Sequence, residues 1–247
     1  MQKEYWNRVN YDAEIFDVRK NDKKGIIESS LSELAAPGKV VADIGCAVGK
    51  WLPFLSPRFK KVYAIDFIEK YLAYAESRYS SLGNVTFMNV DMTLPEKIPF
   101  TFDVVLCVNA VIISSAAKRS VFFKKLFDCI KKGGHLVMVV PSFESSVYSD
   151  FILNRINLNK GIIQKPKKGK EDSLVLEHLR QGVVRIDNQP TKHYIREELI
   201  TIIQALGFRI EKIDKVEYGW KTEVVDPPAS LKGPYPWDWM LVAKKVK

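Results

Sequence analysis

Asp43, Gly45, Cys46 and Gly49 stand together in the stretch VVADIGCAVGKWL (Val40 to Leu52), where an apolar run stops at an acid and gives way to glycines. Glycines after a strand let a ligand approach the backbone, and a helix starting just beyond offers its N-terminal N–H groups. That combination reads as a nucleotide loop. A dinucleotide fold would space its glycines Gly-x-Gly-x-x-Gly and seat a pyrophosphate on the helix end. Here Gly45 and Gly49 enclose three non-glycine residues. Asp43 would also repel a pyrophosphate carrying about two negative charges. The loop asks for a cationic or zwitterionic ligand. Two further acids close apolar runs, Asp66 after KVYAI and Asp91 after NVTFMNV. A carboxylate at Asp66 can accept both hydroxyls of a ribose, and Phe67 beside it can pack on an adenine.

Such residues need a frame that brings strand ends together. From residue 39 to 141 short β-rich runs alternate with amphipathic helical ones: KVVADI, KVYAID, NVTFMNVD, FDVVLCVNAVI and HLVMVVP read as five strands. The first helix is short because Pro53 and Pro57 interrupt it, and the second, over 68 to 82, is expected to stop at Gly83. The third, over roughly 116 to 131, places Val121, Phe122, Leu126, Cys129 and Ile130 on one face. Strands and helices in this alternation imply a parallel sheet wound by right-handed crossovers, an α/β doubly wound fold. After an irregular stretch, IREELITIIQALGF (195 to 208) is a helix ending at Gly207. Two late strands, 208 to 220 and 237 to 247, suit an antiparallel hairpin. The expectation is one domain over 1–247, with an N-terminal helical or lid segment at 1–38. An insertion at 142–194 is expected to cover the carboxyl edge of the sheet, where doubly wound folds bind ligands.

S-adenosylmethionine meets the demand of the glycine loop, because it has no phosphate and brings an ammonium and a sulfonium to one place. Asp43-Ile44-Gly45-Cys46-Ala47-Val48-Gly49 resembles the first motif of the class I S-adenosylmethionine-dependent methyltransferases, an acid-x-Gly-x-Gly-x-Gly pattern. Ala47 departs from it, standing where the middle glycine usually is, and its methyl group is expected to crowd the loop slightly. The resemblance implies a Rossmann-like, mostly parallel seven-stranded sheet with a C-terminal antiparallel strand. It also implies the same roles for Asp66 and Phe67, and an adenine-amino contact for Asp91 with Met92 as its apolar neighbour. Val108 and Asn109, at the end of the fourth strand, would pass under the methionine part of the cofactor. The likeness covers 39 to 141 well and 195 to 247 in outline; the first 38 residues and the insertion carry no shared signature.

Methyl transfer from a sulfonium is an in-line displacement with a good leaving group, so alignment of the nucleophile supplies much of the catalysis. DPPA (Asp226 to Ala229) lacks the final aromatic of the amide-methylating Asp/Asn-Pro-Pro-aromatic motif and lies far from the fourth strand, so it reads as a turn. His135, His178 and His193 share no ligand spacing, so no metal is expected. In TKHYIREEL, His193 and Tyr194 are the candidates for catalysis, with His193 able to act as a general base near neutral pH; capping and packing is the competing role. Trp6 and Tyr11 can serve as lid residues or pack on the sheet. Trp237 and Trp239 alternate as strand residues do and read as packing rather than a base-stacking platform.

Composition bounds the rest. The 247 residues are 47% hydrophobic and 27% charged, as in a globular protein. No apolar run approaches the roughly 20 residues of a membrane span, and the polar N-terminus is unlike a signal, so a cytoplasmic location is expected. Cys46, Cys107 and Cys129 form no Cys-x-x-Cys pair and read as buried hydrophobes. A net charge of +9 includes Arg155, Lys160, Lys165, Lys167, Lys168 and Lys170 in one segment without an intervening acid. The leading reading is methyl transfer to a small or medium-sized molecule. RNA or protein methylation through the basic segment 155–170 is the alternative partner class, and a non-catalytic S-adenosylmethionine-binding protein the alternative from another class. Oligomeric state carries no signature.

Overall fold

A computed structural model describes residues 3–8, 17–159, 180–186, 189–224 and 226–247. Three N-terminal helices, α1 (Lys3–Arg8), α2 (Val18–Asn21) and α3 (Ile26–Leu34), precede β1 (Val40–Ile44), α4 (Leu52–Leu55), β2 (Lys61–Asp66), α5 (Glu69–Arg78) and β3 (Val85–Asn89). Then come β4 (Phe102–Val108), α6 (Ala116–Asp128), β5 (Ile130–Pro141) and α7 (Phe143–Asn159). A small hairpin, β6 (Val183–Ile186) and β7 (Gln189–Lys192), is followed by α8 (Arg196–Leu206), β8 (Phe208–Glu217), a 3-10 turn (Trp220–Thr222) and β9 (Trp237–Lys245).

Seven strands form one sheet in the order β3-β2-β1-β4-β5-β9-β8. The first five pair in parallel, and β9 joins β5 and β8 antiparallel. This is the expected α/β doubly wound arrangement. Central strands such as FDVVLCV are apolar from Val104 to Val108 because both faces are covered there, with Asp103 at the strand's start paired to Lys131. Phe122, Phe123 and Leu126 of α6 with Leu199 and Ile203 of α8 fill one face. Ile27 and Leu31 of α3, Leu52 and Leu55 of α4 and Leu72 of α5 fill the other. No helix among the described residues is long and apolar enough to cross a membrane.

Several boundaries differ from the sequence expectation, each for a local reason. Helix α5 ends at Arg78, short of Gly83, where Tyr79 leaves the helical conformation as its cap; further on, the Asn84 amide donates to the carbonyls of Ser56 (2.8 Å) and Phe59 (2.9 Å) at the entry to β3. Helix α6 ends at Asp128, with Cys129 as its cap, and Ile130 already pairs with Phe102 in the sheet. Val121 is 36% exposed, and Phe123 takes the place in the core that the helical pattern gave it. The expected irregularity of 142–194 is overturned by the 17 residues of α7 and by the β6–β7 hairpin. Helix α7 has no apolar stripe to announce it: Ser145 and Ser149 are buried while Val147 and Phe151 are 54% and 58% exposed. Its first turn is fixed by Ser142, whose hydroxyl accepts from the Ser145 N–H at 3.0 Å.

The loop after β1 rests on α5. Gly49 has φ 77°, and a Cβ there would stand 2.7 Å from Leu52 Cδ1 and 3.1 Å from the Tyr79 ring. Gly49→Ala is expected to lower stability by about 1–2 kcal/mol through the left-handed backbone alone, before any clash. Chemical denaturation measures it; an unchanged midpoint would show that the loop can shift without cost.

Candidate functional site

A cavity of about 1200 Å3 lies at the carboxyl ends of β1, β2 and β4. Strand order reverses between β1 and β4, the place where doubly wound sheets open a crevice. Gly45, at φ 78°, makes the crevice possible: a Cβ on it would lie 2.4 Å from Ala110 Cβ. The N–H groups of Gly45 and Cys46 both donate to Ile65 O, at 2.8 and 3.1 Å, which bends the chain off β1 and across β2.

Asp66 ties that bend down. Its Oδ2 accepts from the Ala47 N–H and its Oδ1 from the Ile68 N–H, both at 2.9 Å, and it is 6% exposed. The same carboxylate borders the cavity, and a carboxylate oxygen can accept more than one hydrogen bond. Ala47 has φ 44°, so the price of replacing glycine lies in the backbone. Beside the expected crowding by its methyl group, a left-handed conformation costs a non-glycine residue about 1–2 kcal/mol.

Gly45, Cys46, Asp66 and Phe67 line one end of the cavity. Asp91, Met92, Val108 and Asn109 continue that lining. Asp91 Oδ1 accepts from the backbone N–H (2.8 Å) and hydroxyl (2.7 Å) of Thr93. Asp43 and Gly49 do not line it: Asp43 is 1% exposed beneath the loop, where its charge, after burial, helps push the Cys107 thiol up. Cys129 is likewise buried, its thiol pushed up to about 12, and neither cysteine has the exposed thiolate that reactivity requires.

His193 reaches the cavity and Tyr194 does not. The His193 ring is 5% exposed with Nδ1 3.1 Å from Thr191 O. A carbonyl only accepts, so the neutral ring carries its hydrogen on Nδ1 and keeps Nε2 as an acceptor. Burial lowers its pKa to about 4, with the Lys192 charge a smaller contribution, so the ring is neutral and weakly basic near neutral pH. Tyr194 is fully buried, donates to Val111 O at 2.7 Å and meets Phe123 edge to face. Burial pushes its phenol far up. It is an anchor between the post-β4 loop and the core.

The opposite wall carries residues to which the sequence reading gave no role at the site. Asp238 on β9 is 8% exposed; its Oδ2 accepts from the Tyr218 hydroxyl (2.9 Å) and the Asn109 amide (3.1 Å). Asp150 of α7 and Glu223, just past the 3-10 turn, join it in the lining. The one signal for Asp238 was an acid inside the apolar run WDWMLVA; Asp150 and Glu223 had none.

Trp6 of α1 lines the cavity, and the Tyr71 hydroxyl donates to its carbonyl at 2.9 Å. Trp239 is 7% exposed and donates to Glu144 at 3.0 Å, a packing role. Tyr11, His178 and, in the basic segment, Lys160, Lys165, Lys167, Lys168 and Lys170 lie outside the described residues. Arg155 is exposed on α7. Among the described residues no three of His, Cys, Asp and Glu are grouped as a metal ion would need.

Residues 41–134 match a family model described as a methyltransferase domain. A phosphoethanolamine N-methyltransferase of Triticum aestivum is 24% identical over 156 residues, 59% of this chain and 30% of that protein. The chain thus spans less than a third of the length of this curated relative. An S-adenosylmethionine-dependent methyltransferase of Methanosarcina mazei has a similar structure, with TM-score 0.60 and 18% identity over 88% of this chain and 97% of that one. The N-methyltransferase NodS of Bradyrhizobium japonicum WM9, in complex with S-adenosyl-L-homocysteine, gives TM-score 0.58 and 13% identity over 93% and 87%.

Two measurements test the reading of His193 and Tyr194. Tyr194→Phe leaves the buried Val111 carbonyl without its donor, and a loss of about 1–3 kcal/mol of stability is expected. A collapse of turnover at unchanged stability would return Tyr194 to the chemistry. For His193 the folded pKa of about 4 lies below the ordinary 6.5. The unfolded chain therefore binds more protons between those values, and stability rises with pH there by up to about 1.4 kcal/mol per unit. The contribution is complete above 6.5 and lost as pH falls toward 4. His193→Asn should flatten this part of the stability profile; an identical profile would contradict the buried neutral ring.

Proposed function

We propose that the chain, whose residues 41–134 match a methyltransferase-domain model, is a class I methyltransferase that transfers a methyl group from S-adenosylmethionine to a small or medium-sized molecule. The observation that carries this reading is Asp66, a buried carboxylate at the end of β2 that holds the glycine loop by two backbone N–H groups and lines the cavity beside Gly45, Cys46 and Phe67. S-adenosylmethionine supplies an electrophilic methyl carbon on a sulfonium, so the protein has to bind, orient and exclude water.

The chain's own residues divide that work. Asp66 takes the ribose hydroxyls, Phe67 and Met92 flank the adenine, and Asp91 has its Oδ2 for the adenine amino group. Val108 and Asn109 pass under the methionine part, with Gly45 and Cys46 giving backbone approach. Asp43 and Gly49 act from behind the loop, the first through its charge and the second through packing. Helix α7 and the β6–β7 hairpin, both contributing to the lining, form the cover over the acceptor side, and Trp6 closes over the loop. His193 offers Nε2 as a hydrogen-bond acceptor to the substrate. The small-molecule assignment is supported by the enclosure of the cavity by these elements.

Calorimetric titration with S-adenosylmethionine tests this reading. Saturable binding is expected, weakened at least about tenfold by Asp66→Ala, since a hydrogen bond to a charged group is worth about 1.5–3 kcal/mol. Because Asp66 also holds the loop, Phe67→Ala serves as a second variant that leaves those bonds intact and should weaken binding too. Absence of saturable binding by the unaltered protein overturns the proposal.

A further inference from the structure

We propose that the wall formed by Trp237 and Asp238 of β9, Ser149 and Asp150 of α7 and Glu223 binds a cationic amine, so that the methyl acceptor is an amine nitrogen. This deepens the methyltransferase reading and rests on it.

Asp238 lies deep in the cavity, and its hydrogen bonds from Tyr218 and Asn109 hold one carboxylate oxygen in a fixed direction. Asp150 and Glu223 stand at the edge, exposed to it. All three are acids, and none makes a salt bridge among the described residues. The basic residues of the lining come from elsewhere: Lys118 from α6 and Arg185 from β6, with Arg19 of α2 paired to Glu28 at 2.8 Å and Lys50 to Asp17 at 2.9 Å. Lys215 places its ammonium 3.6 Å over the Trp237 ring but is not part of the lining.

The three carboxyls feel one another. Burial pushes Asp238 up to about 6 against the pull of its hydrogen bonds, and the Glu223 charge adds to the rise. Burial by surrounding protein and the Asp150 charge raise Glu223 in turn, although its side chain still meets solvent. Like charges drawn together at a partly dry wall are costly until a cation joins them. No metal-sized grouping exists there among the described residues, so the cation that fits is an extended organic one.

Two buried polar atoms point to the same place independently of charge. Ser149 Oγ and Trp237 Nε1 have no hydrogen-bond partner among the described residues, yet their residues are 4% and 9% exposed and line the cavity. Unmade hydrogen bonds of this kind cost about 1–3 kcal/mol each, and a polar ligand removes the cost. Trp237 can only donate, so the amine carries an oxygen or nitrogen acceptor as well.

In the transfer an arriving ammonium first gives a proton to one of these carboxylates, which passes it to solvent. The freed nitrogen lone pair then forms the bond to the methyl carbon as the carbon–sulfur bond breaks, its electron pair staying on sulfur. The product is a methylated ammonium and a neutral thioether, and charge balances.

Binding of butylamine and of its uncharged counterpart butanol to the full chain, saturated with S-adenosylhomocysteine, tests the proposal by calorimetry. Butylamine is expected to bind about tenfold more tightly or better, and Glu223→Gln and Asp150→Asn, both at the exposed edge, should each shrink that preference severalfold without changing S-adenosylhomocysteine affinity. Equal binding of the two probes, or a preference for butanol, overturns the amine site while the methyltransferase reading stands. Failure of S-adenosylhomocysteine to bind strikes the methyltransferase reading instead, and is seen in the first titration before either probe is added.

Discussion

The contact of Gly45 with Ala110 is the constraint from which the rest of the site follows. A Cβ at Gly45 would lie 2.4 Å from Ala110 Cβ, so the loop leaving β1 and the chain leaving β4 meet with no side chain between them. Only at the reversal of strand order do two neighbouring connections diverge to opposite faces, and only there can a ligand lie across the strand ends. With the backbones this close, Gly45 and Cys46 donate to Ile65 O, Ala47 is brought over Asp66, and one carboxylate links the loop to the start of α5. Ala47 holds its left-handed conformation because the surroundings leave it no alternative; strain of this order persists where the structure over-determines it.

The wall formed by α7 and β9 is built by the opposite strategy. Helix α7 turns serines inward and leaves Val147 and Phe151 exposed, which is unfavourable for a helix whose task is to seal an apolar core. It is the right polarity for a helix whose inner face borders a water-accessible cavity and contributes Ser145, Ser149 and Asp150 to its lining. The stability it gives up in burial is offset at its first turn. Glu144 accepts from the Arg196 N–H at 2.9 Å and from the Trp239 indole at 3.0 Å, while Ser145 accepts from the Trp237 N–H at 2.7 Å. These bonds bolt α7 to α8 and β9.

This division explains what could be read in the sequence. The sheet and its crossovers were legible because strand periodicity encodes backbone geometry, which is local; Asp66, Phe67, Asp91, Met92, Val108 and Asn109, which line the cavity, were singled out by their place at strand ends and by the resemblance of the glycine loop to the methyltransferase motif. Asp43 and Gly49 were legible as a motif but not as positions, since only the three-dimensional bend shows that they lie behind the loop. Helix α7 was invisible because a period search looks for buried apolar residues, and its buried residues are polar. Tyr194 looked chemical in sequence and is structural in space; Asp150 and Glu223 looked like ordinary surface acids until α7 and the turn after β8 brought them to one wall.

Asn109 joins the two halves. It ends β4 at φ 49°, donates its backbone N–H to Val139 O at 2.9 Å and its amide to Asp238 at 3.1 Å. Asparagine tolerates this left-handed conformation better than most residues, and its short amide gives an acid on β9 a second donor beside Tyr218 that an alanine or valine there could not supply. A residue that lines the cavity beside the glycine loop and also orients a carboxylate on β9 constrains both with one backbone conformation. The register of β9 against β5, which sets Asp238 opposite Pro141, therefore fixes not only the last strand of the sheet but also the distance between the two ends of the cavity.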